Sequence, residues 1–139
     1  MPDPIPPRNS AMAVAAGALK AQQSRMRVIA ENIANAQSTS PVAGGQPYRR
    51  QIAVFQAREI DGVTGVALAE VRPDMSDFKS EYDPSHPAAN AEGYVLRPNV
   101  DTLIEAMDMR EAQRAYEANL NVIETARSMD ARILDLLKK

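Results

Sequence analysis

The sequence predicts a mainly α fold with a small β region: long N- and C-terminal helices form an antiparallel coiled-coil-like pair, with a small antiparallel sheet or hairpins in the middle. Three observations predict it. The most regular helical sequence lies at the two ends, roughly residues 11–36 and 99–137. Residues 99–139 contain neither glycine nor proline. Between these ends, Gly and Pro divide the chain into short apolar runs of strand-like composition. Four segments are expected: a flexible N-terminus at 1–9, a helix and turn at 10–40, an extended and β middle region at 41–98, and a long helix at 99–139.

Pro2, Pro4, Pro6 and Pro7 favour an extended start. Ser10 is the expected N-cap of the first helix. Met12, Ala16, Leu19, Gln23, Met26, Ala30 and Ile33 then recur at alternating intervals of four and three, which aligns them in one stripe, and Ala15, Gln22 and Ile29 widen it. The helix is expected to fray near Asn35–Ser38 and to stop before Pro41, because proline restricts the residue before it. Asn32, Asn35 and Gln37 either lock that turn or bind another backbone.

Gly44-Gly45 permits a reversal. A strand from Tyr48 to Gln56 and a second from Val66 to Val71 are expected to form a hairpin or small sheet. Residues 74–90 are polar and turn-rich, with Tyr82-Asp83-Pro84-Ser85-His86-Pro87 as the clearest turn, and a short strand near Gly93–Arg97 returns the chain to helix. Asn99 is the expected N-cap of the last helix, with Asp101 in its first turn. Taken from Val100 to Leu137, that helix would span roughly 57 Å.

One seam on the last helix runs Met109, Ala112, Tyr116, Asn119, Ile123, Ala126, Asp130, Ile133 and Leu137. A second line holds Ala115, Ala118, Val122, Met129 and Leu136. Two apolar lines imply neighbours on more than one side. The first helix is too short to cover both, so the excess points to an assembly subunit. Tyr116 and Asn119 sit in the seam, where a phenol and an amide fix register. Arg49 and Arg50 are either partner contacts, since the guanidinium fork suits carboxylates across an interface, or an exposed basic edge on a short strand.

Composition narrows the function classes. With two Phe, four Tyr and no Trp, a large aromatic core is not indicated; Ala and Met carry the apolar character, which suits close and adaptable helix packing. No cysteine is present, so disulfide and thiol chemistry are excluded. Residues 1–50 hold six basic and two acidic side chains, residues 51–100 four and eight, and residues 101–139 six and eight. Such segregation steers packing between subunits but forms no polybasic nucleic-acid surface. No apolar run is long enough for a membrane span, and the proline-rich start is unlike a cleavable signal peptide. His86 is the single histidine and lacks any metal-ligand spacing; between two prolines it is expected to fix a loop. Gly44-Gly45 lacks the Lys-Ser or Lys-Thr of a phosphate loop. No cofactor is expected and no catalytic centre is indicated.

The residues already named carry a family resemblance. Ala21-Gln22 and the run from Val28 to Ala36 resemble the opening helix of flagellar rod and hook axial proteins. Gly44-Gly45, Pro47-Tyr48-Arg49-Arg50, Val54-Phe55-Gln56, Tyr82-Asp83-Pro84, His86-Pro87, Gly93-Tyr94-Val95 and Pro98-Asn99-Val100 narrow the match. Glu105-Ala106-Met107, Arg114 to Asn119 and Ala126 to Met129 complete it. Together these residues resemble the proximal-rod subunits of the C type, over about residues 10–137. Gln37 to Pro41 and Leu103 to Ala106 depart from the family pattern.

The resemblance implies a nonenzymatic structural subunit of the flagellar basal body. It implies a place in the rod within the periplasmic space, reached from the cytoplasm through the flagellar secretion channel. The implied partners are other rod subunits, neighbouring basal-body proteins and, during secretion, the export apparatus. On this reading Leu19, Met26, Ile33, Tyr116, Asn119, Ile123, Ala126, Ile133 and Leu137 serve subunit packing. The other reading that the helices allow is a soluble adaptor or secretion chaperone that binds partner helices.

Overall fold

The computed structural model describes residue 2 and residues 8–138. Its elements run α1 (Arg8–Ala34), β1 (Gln51–Ile60), β2 (Val63–Pro73), β3 (Lys79–Tyr82), β4 (Tyr94–Arg97) and α2 (Thr102–Leu137). The strands form two separate two-stranded antiparallel sheets, β1 with β2 and β3 with β4. The terminal helices pack antiparallel: Asn32 near the end of α1 meets Glu105 near the start of α2, and Arg25 meets Glu111 farther along. At 1.5 Å per residue α1 is roughly 40 Å long and α2 roughly 54 Å.

The β1–β2 hairpin is longer than the sequence pattern indicated. Its two-residue loop explains the length, because Asp61 and Gly62 both take positive φ, 49° and 80°, the geometry that matches strand twist in a tight hairpin. Ile60 pairs directly with Val63 across that loop, and Ala69 is the extra residue of a bulge between the Val54–Glu70 and Phe55–Leu68 pairs. The hairpin folds back along α1. Gly17 permits the approach: a methyl group there would stand 3.2 Å from the Ile60 side chain and 3.6 Å from the Val66 carbonyl oxygen.

β3 was not foreseen, because Lys79-Ser80-Glu81-Tyr82 is exposed at every position and shows no apolar alternation. It pairs with β4 around the turn-rich segment. There Asp83 N–H donates to the Gly93 carbonyl at 2.9 Å and Asn90 N–H to the Tyr94 carbonyl at 2.9 Å. Gly93 has φ +89°, and the Tyr82 ring lies so close that an added Cβ would stand 2.9 Å from it. His86 fixes this loop as expected, its Nδ1 accepting from Ala88 N–H at 3.0 Å.

Two caps differ from the sequence reading. α1 starts at Arg8, so Ser10 lies inside the first turn as a packed residue, only 2% exposed, rather than as the cap. The cap of α2 is Asp101, whose carboxylate accepts from Leu103 N–H at 3.0 Å. Asn99 is engaged elsewhere, as described below. The far end of α1 follows expectation: Asn35 Nδ2 donates to the Glu31 carbonyl, and Ser38 Oγ to the Asn35 carbonyl.

The buried apolar residues are small, among them Ala15, Ala21, Val28, Ile29, Ala36, Val95, Val100 and Ala112. The chain exposes 9695 Å². A compact monomer of 15.2 kDa would expose roughly 7,100 Å², so this fold leaves far more surface than its own core can cover. No helix is long and apolar enough to cross a membrane among the described residues.

Candidate assembly surfaces and the polar knot that sets them

Asn32 and Glu105 are 1% and 0% exposed, which makes them the most deeply buried polar groups of the helix pair. Asn32 treats β1 as a strand would: its Nδ2 donates to the Gln51 carbonyl at 2.9 Å and its Oδ1 accepts from Gln51 N–H at 2.9 Å. The same Oδ1 accepts from the Tyr48 hydroxyl at 2.7 Å, and Nδ2 lies 3.4 Å from Glu105 Oε2. One side chain therefore joins α1, the approach to β1, β1 itself and α2.

Arg50 completes the knot from the strand side. Its Nε donates to Glu105 Oε1, its NH1 to Asp74 Oδ2 at 3.2 Å, and its NH2 lies 3.7 Å from Asp108 Oδ2. Burial works to lower the Arg50 pKa, but the hydrogen bond and charge of Glu105, followed by those of Asp74, raise it further, so the guanidinium stays charged. Asn99 ties in the loop before α2. Its Oδ1 accepts from Arg50 N–H at 2.8 Å, while Nδ2 donates to the Asp74 and Ser76 carbonyls at 3.0 and 3.2 Å. Asp74 has its carboxyl held below the ordinary 3.8, first by the backbone N–H of Ser76 and, against burial, by the Ser76 side chain and Arg50. Tyr48 is pushed above 10.0 by burial and then by the charges of Glu31 and Glu105.

Both arginines make contacts within the chain. Arg50 is committed within its own chain. Arg49 donates through NH1 to the Asp74 and Ser76 carbonyls at 2.8 and 2.9 Å, and its guanidinium stands 4.1 Å over the Phe78 ring. Both arginines fasten the segment between β2 and β3 to the start of β1.

On α2, Tyr116, Asn119, Ile123, Ala126 and Ile133 are half-buried along the line that holds the fully buried Glu105 and Ala112, the side facing α1. Asn119 spends its Nδ2 on the Ala115 carbonyl of its own helix at 2.7 Å, so within the chain its amide does not set the register. Leu137 is 77% exposed. On α1 the buried face follows the Ala15 and Ile29 side of the expected stripe and extends beyond it. Ala15, Ala21, Val28, Ile29 and Asn32 are buried, whereas Leu19 and Met26 are half-buried and Ile33 is 38% exposed. Two neighbours on adjacent sides, α2 and the hairpin, draw the buried arc toward Arg25 and Asn32, which an apolar count passes over.

Asp74 has no signal in the sequence pattern, and Tyr48 and Glu105 enter it only as the start of a strand and as parts of the family resemblance. For Glu105 a signal existed: it stands four residues before Met109 and seven before Ala112, in phase with the α2 seam.

Comparison with known proteins follows the same segments. The family described as flagella basal body rod protein matches residues 12–40, and the flagellar basal body rod FlgEFG protein C-terminal family matches residues 91–136. Flagellar basal-body rod protein FlgC of Agrobacterium fabrum is 47% identical over 135 residues, covering 95% of this chain and 96% of that protein. The chain belongs to the FlgC family of flagellar basal-body rod proteins. FlgC of an Escherichia coli O6:H1 strain is 42% identical, covering 88% of this chain and 92% of that protein, and FlgC of Bacillus subtilis is 37% identical, covering 90% and 95%. FlgC membership makes the chain a structural rod subunit of the flagellar basal body rather than an enzyme.

Proposed function

We propose that this chain polymerises with other axial proteins in the proximal rod of the flagellar basal body and passes motor torque through many distributed helix contacts. The observation that carries this reading, in a FlgC family member, is the large apolar surface left bare along α2, where Met107, Val122, Met129 and Leu136 are 62, 47, 57 and 72% exposed. Patches of this kind on a small chain mark protein contacts. Shear resistance needs such spread burial and no reaction centre. The reading places the chain in the rod within the periplasmic space, after passage through the flagellar secretion channel, with the export apparatus as a transient partner. Leu19, Met26, Ile33, Tyr116, Asn119, Ile123, Ala126, Ile133 and Leu137 belong to the packing layer that the two helices form with each other and with their neighbours.

The test is Val122→Asp with Met129→Asp in the full chain. Helical content and melting temperature should stay near those of the parent, while recovery with purified basal bodies and swimming motility are lost. Undiminished incorporation of this folded variant would overturn the reading.

A further inference from the structure

The β1–β2 hairpin has two outer edges, and they are treated differently. Asn32 takes both the N–H and the carbonyl of Gln51, so the backbone groups of Gln51 point away from β2. The Arg50 carbonyl, one residue earlier, accepts from Asp74 N–H on the β2 side. Backbone direction alternates along a strand, so Ala53, Phe55, Ala57 and Glu59 point outward as Gln51 does. None of their outward N–H and carbonyl groups has a partner among the described residues.

The outer edge of β2 is blunted three ways. α1 lies against it, where a methyl group on Gly17 would stand 3.6 Å from the Val66 carbonyl oxygen. Ala69 bulges out of register, and Pro73 ends the strand with no N–H to offer. β1 has neither a proline nor an extra residue between Ala53 and Glu59. Its first open rungs, Ala53 and Phe55, line a cleft of about 310 Å³ whose other walls include Arg25 and Ile29 of α1 and Asp108 of α2.

The charges in that cleft are already matched, Arg25 by Glu111 at 3.4 Å and Asp108 by Arg50 at 3.7 Å. What stays unanswered is main chain, the N–H and carbonyl of every second residue. An ion or a single side chain cannot satisfy such a row. Another extended backbone can, as the Asn32 amide already does for the Gln51 rung.

Resting on the rod reading, we infer that the outer edge of β1 receives an extended segment of a different protein, which adds to the hairpin as a third strand from Ala53 to Glu59. The Asn32 amide marks where that strand stops. One face of it runs beside Ala53, Phe55 and Ala57, so the occupant carries apolar side chains at alternate positions and no proline where it donates. The occupant is not β1 of a second copy. Two such edges paired about Phe55 would set Glu59 of one opposite Gln51 of the other, whose backbone groups Asn32 already holds.

Proline distinguishes the two edges. Ala57→Pro removes an outward N–H without touching the ladder to β2, and Thr64→Pro, in the neighbouring Glu59 pair, does the same on the outer edge of β2. Both full-length variants should melt near the parent. Ala57→Pro is expected to lower recovery with purified basal bodies several-fold, while Thr64→Pro leaves it unchanged. Hydrogen exchange reads the contact without a substitution. In the isolated chain the amides of Ala53, Phe55, Ala57 and Glu59 should exchange at once and those of Val54, Gln56 and Arg58 slowly; in basal bodies all should be slow. Outward amides that remain fast in basal bodies would overturn the inference whether or not Ala57→Pro folds, as would full recovery of a folded Ala57→Pro variant. Photo-crosslinking from p-benzoylphenylalanine in place of Ala57 should yield an adduct with a different protein. A band at twice the 15.2 kDa chain mass, containing this chain alone, would overturn the choice of occupant. Absence of the unsubstituted chain from basal bodies would instead overturn the rod reading on which the inference rests.

Discussion

The two ends of the helix pair are built on opposite principles. Where α1 finishes and α2 begins, Asn32, Arg50, Asp74, Asn99 and Glu105 satisfy one another and leave almost nothing for a neighbour. At the far end of α2, Leu134, Leu136 and Leu137 are 59, 72 and 77% exposed and face no such network. The difference teaches that the polar network fixes the shape of the subunit, while the apolar side chains left bare along α2, from Leu103, Ile104 and Met107 to the far end, wait to be completed by contact. Polar groups suit the first task because each demands a particular partner, whereas apolar side chains suit the second because they accept many.

Substitutions sharpen this contrast, beginning with the largest effect. Glu105→Ala removes the buried carboxylate that receives Arg50 and Asn32, while Arg50 keeps Asp74 and some contact with water, and is expected to cost about 3 kcal/mol, read from denaturant unfolding of the isolated chain. A loss under about 1 kcal/mol would mean that the knot is not the fastening described. Asn32→Ala strands the Gln51 amide and carbonyl together with the Tyr48 hydroxyl, and should cost about 2–3 kcal/mol by the same measurement. Asn32→Asp retains the acceptor yet loses the Nδ2 donor, so it should fall between the parent and the alanine variant.

Tyr48→Phe is expected to cost about 1 kcal/mol at neutral pH. It also carries a pH signature. Because the folded chain holds the Tyr48 pKa above 10.0, the stabilisation is complete below that value and is lost as pH rises through the folded pKa. Stability of the parent should therefore fall more steeply above pH 10 than stability of the phenylalanine variant, and parallel curves would remove Tyr48 from the network. Leu136→Ser with Leu137→Ser is the smallest expected change, within about 0.5 kcal/mol, because both side chains are already in water. A melting temperature that dropped by many degrees would show that the far end is closed within the subunit.

Legibility in the sequence divides along the same line. The seam of α2 could be read from spacing because its inner positions are mostly apolar or small, and the hairpin could be read from alternation. The phase of α1 could not, since Arg25 and Asn32 occupy inward positions whose burial depends on partners distant in the chain. Asn99 illustrates the same limit. An Asn before a helix reads as a cap from local sequence, but here its amide is claimed by Arg50, Asp74 and Ser76, residues 23 to 49 positions away, and the cap passes to Asp101. β3 was hidden for a related reason: its pairing with β4 is made by backbone groups around the Gly93 turn, and its exposed side chains leave no pattern.

The position of Glu105 along the chain has a consequence for the order of events during folding. Any process that delivers the polypeptide from its N-terminal end releases Asn32, Arg50 and Asp74 well before the carboxylate that joins them. Until Glu105 is present, Asn32 and Arg50 lack the carboxylate that joins them. The knot is therefore complete only once the first turn of α2 is in place.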